Sequence, residues 1–93
     1  MSRYIALIED AGPDTAVGVW FPDLPGCFSA GDSIDEAMIN AEEALALYAE
    51  ATGKLPHPRT LTELKADRQI ASDIASHIVA LIALRNPVRS AAE

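Results

Sequence analysis

The stretch from Ser33 to Gly53 leaves this chain little choice of local structure. Ile34, Ala37, Met38, Ala41, Ala44, Leu45 and Tyr48 recur at helical spacing and share one side of a cylinder. Ser33 stands before the first of them and Glu36 three residues later, the spacing of a capping box. Asp32 and Asp35 put negative charge at the positive end of the helix dipole. Gly53 suits the residue just past the last turn. A long amphipathic helix is therefore expected, and its apolar side must lie against another layer.

That layer is a sheet. Residues 3–9 read as a strand, Ala11-Gly12-Pro13-Asp14 as a turn, and residues 16–21 as a second strand rich in β-branched and aromatic residues. Pro22 and Pro25 interrupt the ladder, because neither can donate a backbone hydrogen bond. Residues 27–31 form a short third strand. Beyond the helix, Pro56 and Pro58 keep residues 55–59 extended. Thr60 and Glu63 form a second capping box, opening a short helix near 61–67; residues 68–76 continue as a helix or a loop, with the i, i+4 spacing of Ile70 and Ile74 favouring helix. Residues 77–84 are almost continuously apolar, the pattern of a strand covered on both faces. Pro87 ends it, and 88–93 read as a flexible tail after a single domain at 1–87.

The fold class is α+β, in the order β-β-β-α-(α)-β. The first three strands make an antiparallel meander. A right-handed connection through the helix places the fourth strand beside the first and parallel to it, in order 3-2-1-4, with the helix on one face. One helix covers one face only. The first strand is apolar on both sides, with Tyr4, Ala6 and Ile8 on one and Ile5 and Leu7 on the other. The second face needs either residues 61–76 or another subunit, so a homo-oligomer is expected.

Charge narrows the functional classes. The chain has 93 residues and a net charge of −7. Residues 1–52 hold ten acids against one base, Arg3, while 53–93 hold six bases and four acids. An acidic half repels phosphate and attracts basic surfaces, which opposes nucleic-acid binding and favours a basic protein partner. The lone Cys27 has no partner for an internal disulfide, consistent with a reducing compartment. The N-terminus lacks the layout of a signal peptide, and no apolar run reaches the roughly 18 residues of a membrane helix, so the cytoplasm is the expected location.

Catalytic constellations are not apparent. His57 and His77 are twenty residues apart without ligand-like spacing, and Cys27 has no base nearby in sequence. Asp23, Asp32 and Glu36 are the carboxylates near the proline loop, and the last two are accounted for by helix capping. No Gly-rich phosphate loop appears. No enzyme, metal or cofactor is expected. The helix does carry a second pattern. Glu36, Glu43 and Glu50 line up away from the core, flanked by Ile39 and Leu47, with no lysine or arginine between 33 and 52. The pattern fits either a docking surface, which exposed aliphatics rimmed by charge can mark, or a plain solvated helix face.

Phe21-Pro22-Asp23-Leu24-Pro25-Gly26-Cys27, then Gly31-Asp32-Ser33, then Glu36, Ala37 and Ala41 on the helix resemble the HicB antitoxin family. Leu55-Pro56-His57-Pro58 and the final apolar strand extend the resemblance over about residues 3–84. It implies a partial RNase H-like or double-stranded-RNA-binding-like domain without the nuclease site. It also implies a partner: a HicA-type toxin, a small basic protein that cleaves mRNA with a catalytic histidine. On this reading Asp23, Leu24, Glu36, Ile39, Glu43, Leu47 and Glu50 contact the toxin, while Pro22, Pro25, Gly26, Gly31 and Ser33 shape the loop. Family members usually add a C-terminal ribbon-helix-helix or helix-turn-helix domain that binds operator DNA. The sequence ends at Glu93 without one, so direct DNA binding is not expected of it. The alternative is an orphan HicB-like regulatory or nucleic-acid-binding module with no cognate toxin.

Overall fold

In the computed structural model, which describes residues 2–84, three strands precede the long helix: β1 (Arg3–Glu9), β2 (Val17–Trp20) and β3 (Phe28–Gly31). Helix α1 (Ile34–Thr52) follows, then α2 (Leu61–Lys65), α3 (Arg68–Ser76) and β4 (Ile78–Ala83). The strand stop expected at Pro87 and the tail expected at 88–93 lie outside the described residues.

The sheet order is β3-β2-β1-β4, as the sequence predicts. The direction of the last strand is not. β4 pairs with β1 antiparallel, from Ile8 opposite Ile78 to Arg3 opposite Ala83, so the expected parallel pairing is corrected. The reason lies in the path from 53 to 77. A single helical crossover would return the chain to the start of β1, pointing the same way. Here α1 alone makes that return: Tyr4 Oη, near the start of β1, donates to the Pro56 carbonyl at 2.6 Å. The segment that holds α2 and α3 then leads to the other end of β1. It delivers His77 to the side of Trp20, with ring centroids 4.8 Å apart and the rings nearly perpendicular. The chain therefore enters β4 beside the end of β1 and leaves beside its beginning, where the Leu84 N–H donates to the Ser2 carbonyl at 2.8 Å.

The core follows the alternation of β1. Tyr4, Ala6 and Ile8 join Val17, Val19, Phe21, Leu24, Cys27 and Ile82 against Ala37, Ala41 and Leu45 of α1. Ile34, Met38, Ala44 and Tyr48 close the margin, so all seven positions read from the helical periodicity face the sheet. Each fully buried leucine here contributes about 1.5–3 kcal/mol of transfer free energy. Ile5, Leu7 and Leu64 are buried outside this cluster. Leu7 stands opposite Trp20 in the β1–β2 register, so the ring contact of His77 puts the end of α3 on the Leu7 side. Ile5 and Leu7 are buried on this second face, which His77 reaches beside Trp20. The expectation that β4 is covered on both faces is corrected: only Ile82 is buried in it, and Ile78, Val79 and Leu81 are exposed. Its continuous apolar pattern suits a central strand, but the sheet order puts it on the edge.

Candidate functional site

Residues 21–27 form two consecutive tight turns. The Leu24 N–H donates to Phe21 O at 3.0 Å, and the Cys27 N–H donates to Leu24 O at 3.0 Å. Pro22 and Pro25 each hold the second position of a turn, where their fixed φ is required. Gly26 follows Pro25 with φ of 85°, a left-handed conformation that a β-branched residue resists. The Phe21 N–H donates to Cys27 O across the base of the loop at 3.3 Å, and Tyr48 Oη of α1 donates to the Pro25 carbonyl at 2.9 Å.

Asp23 ties this loop to the Pro-x-Pro segment. Its carboxylate accepts the Arg59 backbone N–H at 2.9 Å and Arg59 Nε at 2.6 Å, and its side chain is only 5% exposed. That hydrogen bond, with a smaller contribution from the Asp23 charge, raises the Arg59 guanidinium further above its ordinary pKa. Burial, with a smaller contribution from the Asp23 charge, pushes the Tyr4 hydroxyl up as well, which keeps it a donor to Pro56. Substituting valine for Gly26 is expected to cost about 1–3 kcal/mol through backbone strain alone, since an added Cβ meets nothing within 4 Å. Thermal melting of Gly26→Val beside Gly26→Asn, which tolerates the left-handed region, checks this. Equal midpoints for Gly26→Val and the parent would remove the special turn.

The start of α1 is built as the sequence predicts, with one difference. Ser33 Oγ accepts the Glu36 N–H at 3.1 Å, but the Glu36 carboxylate reaches back to the Asp32 N–H at 2.6 Å and not to the Ser33 N–H. Gly31 lies directly under this first turn. Away from the core, Glu36, Ile39, Glu43, Leu47 and Glu50 are all exposed on one flank of α1, Ile39 at 68% and Leu47 at 60%. Among the described residues, Glu43 and Glu50 have no cation within salt-bridge distance. Asn40 fixes this flank to the sheet margin, its Nδ2 donating to the Ala30 carbonyl of β3 at 2.8 Å. Phe28, on the same margin, is 69% exposed.

Asp23 and Leu24 do not belong to this flank. Leu24 turns inward and is buried at 1% exposure, and both Asp23 oxygens are engaged by Arg59. The two turns break the alternation that would expose Leu24. Sequence reasoning missed Arg59, Asn40 and Phe28. An arginine just after Pro-x-Pro was a signal for the first; nothing local marks Asn40 as an edge cap. Among the described residues no group of three or more His, Cys, Asp or Glu side chains converges as a metal site would. His77 Nδ1 lies 2.7 Å from the Asp73 carbonyl at the end of α3, a local contact, and Cys27 is buried, which raises its thiol pKa.

A profile described as a HicB-like antitoxin of bacterial toxin–antitoxin systems matches residues 4–90. The chain belongs to the HicB-like antitoxin family. Solved HicB structures share the fold. The Burkholderia pseudomallei antitoxin HicB is 27% identical with a TM-score of 0.69, over 91% of this chain and 63% of that one. Its N-terminal domain alone is 28% identical at the same TM-score, over 90% and 99%. A chain of the HicA3 and HicB3 toxin–antitoxin complex is 26% identical with a TM-score of 0.68, over 90% and 99%. An uncharacterized 14.9 kDa protein of Haemophilus phage HP1 is 49% identical over 47 residues, half of this chain and 34% of that protein. This chain thus spans less than two thirds of the full-length HicB and about a third of the phage protein, and corresponds to the HicB N-terminal domain. Among the described residues, no HicB-like helix is long and apolar enough to cross a membrane.

Proposed function

We propose that this HicB-like domain binds a small basic, mRNA-cleaving toxin of the HicA type in the cytoplasm and neutralises it by covering its RNA-binding surface. The observation that carries the reading is the outer flank of α1, where three glutamates and two exposed aliphatics stand together with no lysine or arginine on the helix itself. Carboxylates compete there with phosphate for the same cations, and the aliphatics add desolvated contact area. Family membership and the likeness to a chain of a HicA3–HicB3 complex support the partner class.

The test is a cleavage assay with a HicA-type toxin from the source of this gene. Added in equimolar amount, the domain should abolish RNA cleavage and co-elute with the toxin as one species. Alone, with or without Mg²⁺ or Mn²⁺, it should leave RNA intact. Full cleavage in the presence of excess domain would overturn the proposal and leave an orphan regulatory module.

A further inference from the structure

We infer that β4 is the seam of a homodimer in which two copies pair antiparallel through their edge strands and join their sheets. This inference rests on backbone geometry and stands apart from the toxin reading. Leu84 N–H faces β1, donating to Ser2 O. Hydrogen-bonding direction alternates along an antiparallel strand, so residues 78, 80 and 82 also face β1, while Val79, Leu81 and Ala83 turn their N–H and C=O groups outward. Edge strands of monomers are normally blunted by charge, proline, a bulge or a covering segment. β4 has none of the first two: Ile78-Val79-Ala80-Leu81-Ile82-Ala83 is neutral throughout. Its pairing with β1 runs without a break from Ile78 to Ala83, which excludes a bulge.

The exposed side chains sit on the same strand. Val79 is 38% exposed, Leu81 60% and Ile78 47%. A second copy fits for two reasons. The outward set is three alternate residues, so a two-fold axis at Leu81 pairs Leu81 with its own twin, and Val79 with Ala83 of the other copy in both directions. All the outward groups are then satisfied at once. Charge agrees as well. The chain is strongly acidic, yet no carboxylate lies on β4, and the glutamate flank of α1 adjoins β3, at the opposite side of the sheet. Two copies therefore meet at β4 without bringing those glutamates together.

Sedimentation velocity of the full chain over a wide concentration range tests the seam. The parent should sediment as a dimer at micromolar concentration. Leu81→Lys places two cations at the axis and should weaken dimerisation at least a hundredfold. Leu81→Pro removes an outward N–H and no β1 bond, and should act similarly while circular dichroism shows the fold retained. Ile39→Lys, on α1, should leave the dimer intact. A parent that is monomeric at every concentration overturns the inference. So does a dimer that survives both Leu81 variants. A monomer whose toxin binding is lost in Leu81→Lys but not in Ile39→Lys would also overturn it, assigning the edge to the toxin.

Discussion

Replacing Gly31 with alanine is expected to destabilise the domain by about 3 kcal/mol or more, the upper range for overpacking. A Cβ on Gly31 would stand 2.6 Å from the Ala37 nitrogen and 2.9 Å from both the Ala37 Cα and the Glu36 carbonyl carbon. Every one of these atoms is backbone, so no side chain can rotate away. Relief requires lifting the first turn of α1 from the end of β3. That would strain the bond from Ser29 Oγ to the Ala37 carbonyl, now 3.1 Å, and uncover Ala37. For a domain of this size the loss corresponds to a fall in melting temperature of more than about 10 °C. Gly18→Ala is the control, because a Cβ there meets nothing within 4 Å. If the two variants melt together, close packing at Gly31 is not what holds helix to sheet.

The second large effect concerns association with the toxin. Reversing Glu43 and Glu50 to lysine should slow binding about tenfold or more at low salt and flatten its salt dependence, because complementary charge acts mainly on encounter. Both side chains are exposed and neither caps a helix, so folding should be unaffected; Glu36 is unsuitable because it holds the Asp32 N–H. Ile39→Asp should act on the other rate, speeding dissociation about tenfold. Stopped-flow association at two ionic strengths, with dissociation by competition, separates the two. A double reversal that binds as fast as the parent at low salt would make this flank a solvated surface only.

What the sequence made legible was whatever local pattern carries. The face of α1, its caps, the first short helix and the strand order followed from periodicity, capping residues and the handedness of the crossover, and the spacing of Ile70 and Ile74 favoured the second short helix. The direction of β4 did not, because it depends on how many times the chain crosses the sheet between Gly53 and Ile78. That count is set by Tyr4 meeting Pro56 and His77 meeting Trp20, contacts between residues 52 and 57 positions apart. The loop was read correctly as a turn but misread as a surface: Leu24 was placed outside, although the second turn swings it into the core. Asp23 was exposed only so long as Arg59, 36 residues away, was unknown.

The Asn40 side chain has a consequence for assembly. It occupies the Ala30 carbonyl on one border of the sheet, while the opposite border offers three open residues. A sheet with two open borders is a monomer of a fibre, since each added copy presents a fresh border to the next. A strand added at β3 would have to displace the Asn40 amide from the Ala30 carbonyl, a cost that pairing at β4 does not carry among the described residues. In the inferred dimer, further growth would then be disfavoured at β3, which holds assembly near a single pairing step.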